Sequence, residues 1–177
     1  MNTPTDSPAH PEPNTVNGFI ITKGAAGLIE FLIDVFDGTE DPDAHAPDWY
    51  ADDGTLIHSE VRIGNSVVMV ADRKPDWPFT PAMTQVYVTD AAATLRRAVD
   101  RGATIITEVS PFYGDMKIAR FLDPWANMWW LFAPATDGNS RDDDPAGDDS
   151  ASPWDDSQPS PVYTTLLNAM RQLTDPT

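Results

Sequence analysis

The pattern that opens this chain starts again near its midpoint. Gly18-Phe19-Ile20-Ile21-Thr22 is a short apolar strand-like run, and over 25–36 the residues Leu28, Phe31, Leu32, Val35 and Phe36 recur at helical spacing. Thr84–Thr89 is strand-like again. A second helix runs from Asp90, a good N-cap, to about Arg101, with Gly102 as its stop. The two junctions align as Ile21-Thr22-Lys23-Gly24-Ala25-Ala26 against Val88-Thr89-Asp90-Ala91-Ala92-Ala93. In the first half Thr55–Ile63 and Ser66–Ala71 flank Gly64-Asn65, a two-residue hairpin turn whose residues tolerate positive φ. In the second half Ala103–Val109, Lys117–Leu122 and Met128–Ala133 supply three further strands. A duplicated strand–helix–strands unit restricts the architecture sharply. It predicts an α+β fold: two βαβββ modules forming a curved mixed sheet around a pocket, with the helices outside.

The modules span 17–72 and 83–135, joined by a linker over 73–82 that carries Pro75, Pro78 and Pro81. Asp37–Asp53, dense in Asp and Pro, is expected to be a loop. Residues 1–16 form a Pro- and Thr-rich tail, and 136–160 hold eight aspartates against one arginine. Both segments are expected to be solvated and disordered. A short C-terminal helix over 161–174 presents Val162, Leu166, Leu167, Met170 and Leu173 as one stripe. The sequence leaves open whether it docks on the domain, docks on a partner subunit, or frays.

The formal net charge of −17 makes nucleic acid and anionic membranes poor partners. With no cysteine there are no disulfides, thiolate ligands or cysteine nucleophiles. The first residues lack the basic and apolar regions of a signal peptide, and no apolar run reaches membrane-spanning length. A soluble cytoplasmic protein is the expectation.

Tyr113–Phe132 reads as two strands joined by a turn rich in Asp, Pro and Asn. Together with Gly54–Ala71, Val86–Asp90, Arg101-Gly102-Ala103, Tyr113-Gly114-Asp115 and Asp123-Pro124, it resembles the vicinal oxygen chelate superfamily, PhnB-like branch. That superfamily contains glyoxalase I, extradiol dioxygenases and bleomycin-resistance proteins. The resemblance covers about 17–135 and implies a homodimer. Asn17 precedes a first strand with little family character, and Ala126 stands where the family usually has Gly. Metal-dependent relatives carry ligands near the start of each module's first strand and on each last strand. The resemblance puts Asn17, Thr84, Met69 and Trp130 at those positions. None is His or Glu, so no metal and no cofactor is expected.

The hairpin supplies a register of its own. A two-residue turn pairs Ile63 with Ser66, Arg62 with Val67, Glu60 with Met69 and His58 with Ala71. His58, Glu60, Arg62, Val67 and Met69 then share one face, while Ile57, Val61, Ile63, Val68 and Val70 point to the helix. With Met69 at a position that the resemblance assigns to the site, the first face lines the pocket. His58 and Glu60, with Cβ atoms roughly 6–7 Å apart, are candidates for proton transfer or metal recruitment. The plain alternative is a solvated face with a Glu60–Arg62 pair. On the last strand Met128, Trp130 and Phe132 share a face, with Trp129 and Leu131 opposite. His10 and His45 are expected to be exposed, and Trp77 and Phe79 are candidates to cover the pocket.

Two functions follow. The first is a metal-independent protein binding a small apolar or aromatic molecule through Met69, Thr84, Trp130, Arg62, Phe132 and Met128. The second is a glyoxalase-like lyase or isomerase using His58 and Glu60. Whether the chain is an enzyme stays open between them.

Overall fold

The computed structural model describes residues 16–40, 49–113, 115–135 and 160–176. Apart from Val16 and Ser160, the expected tail over 1–16 and acidic segment over 136–160 lie outside the described residues, as do His10 and His45. The elements run β1 (Gly18–Thr22), α1 (Ala25–Phe36), β2 (Thr39–Glu40), β3 (Ser59–Ile63), β4 (Ser66–Asp72), β5 (Met83–Tyr87), α2 (Ala91–Asp100), β6 (Thr104–Phe112), β7 (Met116–Leu122), β8 (Met128–Pro134) and α3 (Pro161–Gln172). The fold is α+β and built of two βαβββ modules, as the repeat predicts. Each module has its own four-stranded mixed sheet, ordered β1-β4-β3-β2 in one and β5-β8-β7-β6 in the other. In both, the first strand runs parallel to the last, and the remaining pairs are antiparallel. Within the described residues, no helix is long and apolar enough to cross a membrane.

In the first unit, Ile20, Val61, Val68 and Val70 are buried on one sheet face, as are Leu28 and Leu32 of α1. The chain leaving α1 passes close over β3. A Cβ at Gly38 would lie 2.9 Å from Val61 Cγ1 and 3.0 Å from the Leu32 carbonyl oxygen, so only glycine fits there. That passage leads into β2, which pairs Thr39 with Arg62 and Glu40 with Val61 inside the segment expected to be a loop. A two-residue strand among Asp and Pro has no periodicity to announce it. α1 has Gly24 at its N-cap and no side-chain cap of its own. Its first amides are instead taken by Asp72 from the end of β4, at 3.0 Å from Gly24 N and 2.8 Å from Ala25 N.

The second unit takes in residues 34–36 and the described residues from Pro78 onward. Asp90 caps α2 as expected, accepting from Ala93 N at 2.9 Å, and this bond holds its carboxyl below the usual range. α2 packs on β7 and β8. Phe121, Trp129 and Leu131 are fully buried on one face of those strands. The Phe36 ring lies 4.9 Å from Trp129 and 6.3 Å from Phe121. The turn between β7 and β8 closes with Asp123 N donating to the Asn127 carbonyl and Ala126 N to that of Asp123, both at 3.0 Å. Ala126 sits there at φ 64°, in the left-handed region. This is the place where the resemblance expects Gly, and the geometry explains the preference. We expect Ala126→Gly to raise stability by about 1 kcal/mol by relieving that conformation, measured by chemical unfolding.

Candidate functional site

The open face of the first unit is built from three neighbouring strands. Phe19, Met69 and Glu60 stand side by side on β1, β4 and β3, because Phe19 pairs with Met69 and Met69 with Glu60. They point away from the buried valines. The hairpin register holds from Ile63↔Ser66 to Ser59↔Val70 and then breaks. Asp72 N donates to the Leu56 carbonyl at 2.8 Å and Leu56 N to Asp72 Oδ2 at 2.7 Å, so Ile57 and His58 together face the single residue Ala71. This is a bulge, and the expected His58–Ala71 pairing is absent. Ile57, expected on the helix side, is 51% exposed. Ile57 N donates to the Trp49 carbonyl at 2.7 Å, which brings the Trp49 ring beside His58.

His58 therefore has three defined neighbours. Its ring centroid is 4.5 Å from that of Trp49, tilted by 34°, and 6.0 Å from that of Phe19, edge-on at 78°. Its Nε2 lies 3.3 Å from Glu60 Oε1, and both side chains are partly exposed. Donation from Nε2 to the carboxylate leaves Nδ1 as the basic nitrogen of the neutral ring. Arg62 follows on the same face by alternation, opposite Val67. Four residues singled out from sequence, His58, Glu60, Arg62 and Met69, thus come together. Phe19 and Trp49 were not among them. Phe19 follows only from the β1–β4 pairing, and Trp49 lies next to an Asp- and Pro-rich stretch with no periodic signal.

In the second unit the matching positions are Gln85, Trp130 and Arg120, since Gln85 pairs with Trp130 and Trp130 with Arg120. Thr84 pairs with Trp129 and so points to the opposite face, away from the site expected of it. The reason is a one-residue error in aligning the repeats. Ala25, Leu28, Ile29 and Leu32 of α1 match Ala91, Thr94, Leu95 and Ala98 of α2, all buried, which sets Gly24 against Asp90 rather than Ala91. Trp130, Phe132 and Met128 do share a face, as expected, but α3 lies over it. Val162 packs with Ile118 and Phe132, and Phe112, Met116 and Trp130 adjoin that cluster. Thr165 and Thr107 hydroxyls are 2.7 Å apart. Arg120 reaches across Trp130, its Cζ 4.0 Å from the ring centroid, to donate to the Val162 carbonyl at 2.7 Å and Thr107 Oγ1 at 3.3 Å. A groove of about 340 Å³ between α2 and β6, lined by Leu95, Arg96, Val99, Ile105, Glu108 and Val109 among others, contains none of these residues.

A metal of the kind held by metal-dependent members of this fold does not suit these donors. The central strand positions offer Phe19 and Met69 in one unit and Gln85 and Trp130 in the other, with neither carboxylate nor imidazole among them. Among the described residues, no three His, Asp or Glu side chains gather into a possible metal cluster.

No protein-family model matches the chain. It is 30% identical over 132 residues to uncharacterized protein Mb0911c of Mycobacterium bovis, covering 68% of this chain and 83% of the relative. Among solved structures, it is similar to a glyoxalase/bleomycin resistance protein/dioxygenase family enzyme from Burkholderia phytofirmans. The TM-score is 0.53 at 18% identity, over 66% of this chain and 94% of that one. It is also similar to a PhnB protein from Bacillus cereus described as a putative 3-demethylubiquinone-9 3-methyltransferase, with TM-score 0.51 at 19% identity, over 67% of this chain and 98% of that one. The chain thus belongs to one family with the mycobacterial protein and carries the vicinal oxygen chelate fold of the glyoxalase and bleomycin-resistance proteins.

Proposed function

We propose that the protein binds a small apolar or aromatic molecule on the open face of its first module. The observation that carries this is His58 beside the rings of Trp49, from the preceding loop, and Phe19, with its Nε2 on the Glu60 carboxylate at the edge of a part-exposed sheet face. Rings in such an arrangement hold a flat ligand by stacking and burial, and Met69, between Phe19 and Glu60, adapts to its outline. Glu60 and Arg62 supply the few charged contacts that orient it.

A second reading rests on the 3.3 Å His58–Glu60 contact. A carbon acid bound on this face would lose its proton to His58, and Glu60 would stabilise the imidazolium until the proton returned at another carbon. That is isomerase chemistry without a metal; a lyase would result if a group on the adjacent carbon left with the bonding pair instead, taking the proton from His58. The residues are the same in both readings, so binding is the common requirement.

Titration with an uncharged naphthalene probe tests it. We expect the signal to depend on Trp49, as judged by its loss in Trp49→Phe, and Phe19→Ala to weaken binding by about tenfold. Glu60→Gln is expected to leave binding within about twofold and to abolish turnover wherever turnover is found. Unchanged affinity in both Phe19→Ala and Trp49→Ala would remove the proposal.

A further inference from the structure

The second module raises a separate question: what the buried charge of Arg120 is for. Its side chain is 3% exposed, and burial pulls its pKa down to about 10. A guanidinium removed from water is costly unless an acid compensates it. The two acceptors of Nη1 are neutral, the Val162 carbonyl and the Thr107 hydroxyl. The Nε of Arg120 and the indole Nε1 of its cross-strand neighbour Trp130 are both buried with no acceptor among the described residues. One patch of sheet thus offers a guanidinium lying over an indole ring and two unmet N–H donors. The chemistry that complements it is a planar π system carrying an oxyanion, which takes the place of the guanidinium over the indole once α3 releases it and accepts charge-assisted hydrogen bonds from it.

What lies on the patch instead is α3, a twelve-residue helix of a length that is marginal in isolation. It buries Val162 and Ala169 but leaves Tyr163 56% and Met170 41% exposed. Its Val162 carbonyl occupies Nη1 with a weaker acceptor than a carboxylate or sulfonate. We propose that Arg120 and Trp130 form a second ligand site, selective for a planar aromatic molecule bearing an anionic group, and that α3 is the cover which this ligand displaces.

Displacing α3 subtracts from affinity, so loosening it increases affinity. The test uses the full chain with two fluorescent probes, anilinonaphthalene sulfonate and the uncharged N-phenylnaphthylamine. Ala169→Lys, which puts a charge under α3, is expected to raise sulfonate affinity about tenfold. Bound sulfonate should speed hydrogen exchange of the α3 amides. Adding Arg120→Met is expected to remove the preference for sulfonate while leaving binding of the uncharged probe unchanged. Arg120→Lys, which keeps charge but loses the planar fork, is expected to weaken sulfonate several-fold, and it decides the matter if the Met variant does not fold. Phe19→Ala should leave the sulfonate results and the α3 exchange unchanged while weakening the uncharged probe, which separates this site from the face of the first module. No gain in sulfonate affinity in Ala169→Lys, equal loss of both probes in the Arg120 variants, or sulfonate binding with α3 exchange unchanged would overturn the proposal.

Discussion

Asp123→Ala is expected to destabilise the second unit by about 4 kcal/mol, from a total of about 5–15 kcal/mol in an ordinary domain. Asp123 is buried, and its carboxylate accepts four N–H groups. Oδ1 takes Trp125 N at 3.0 Å and Asn127 N at 2.9 Å, while Oδ2 takes Asn127 Nδ2 at 3.0 Å and Trp129 Nε1 at 2.9 Å. Trp129 is fully buried and Asn127 nearly so, so neither side-chain donor can turn to water when the carboxylate is removed. Asn127 in turn accepts from Ala82 N at 2.9 Å, at the entry to β5, so the loss spreads to the parallel strand. Urea unfolding measures it, and a cost below about 1 kcal/mol would contradict the account. A pH dependence follows as well. Burial outweighs the four donors and raises the Asp123 pKa above the usual carboxylate value. The native state therefore keeps this proton to higher pH than the unfolded chain. This group's contribution to stability falls as pH rises from the ordinary carboxylate value through its raised one. Asp123→Asn is expected to remove that slope, though it loses an acceptor.

Asp72→Ala is expected to cost the first unit about 3 kcal/mol. Its Oδ1 caps a helix that has no side-chain cap of its own, and its Oδ2 holds Leu56 N at 2.7 Å. The second bond links stability to the site. Leu56 anchors the bulge that presents His58, so the variant is expected to weaken the naphthalene probe as well as the fold. Asp72→Asn, which keeps an oxygen for the helix amides, should recover most of the stability. Unfolding curves and probe titrations on the two variants read both effects. A stable Asp72→Ala with unaltered binding would mean that β3 and β4 hold the bulge without this carboxylate.

The parts legible in the sequence were those written as periodicity. The apolar spacing of Leu28, Phe31, Leu32 and Val35 carried α1 to its observed ends, and Gly64-Asn65 carried the register of β3 and β4. Local patterns do not encode bonds between distant residues. His58 was found, but its bulge arises from Asp72, sixteen residues beyond Leu56, and its ring partners come from β1 and from the segment before Leu56. Thr84 was misplaced because two alanine-rich helix starts match almost equally well one residue apart, and only burial along α1 and α2 separates the two choices. The stripe on α3 was visible, yet nothing in it named the Arg120–Trp130 face as its seat. The Asp123-Pro124 turn, part of the most recognisable motif, proves to hold the scaffold together through Asp123, which is why it identifies a fold and not a reaction.

The central claim, that the first module's open face is a ligand site, is tested most directly by methyl NMR. The chain has six methionines. Met69 lies between Phe19 and Glu60, whereas Met116 adjoins the cluster under α3 and Met128 is buried on that same face of the second unit. With labelled methionine methyls and the uncharged naphthalene probe, saturable shifts are expected at Met69, needing about tenfold more probe in Phe19→Ala, with Met116 and Met128 unmoved. Shifts at Met116 and Met128 with Met69 silent would contradict it.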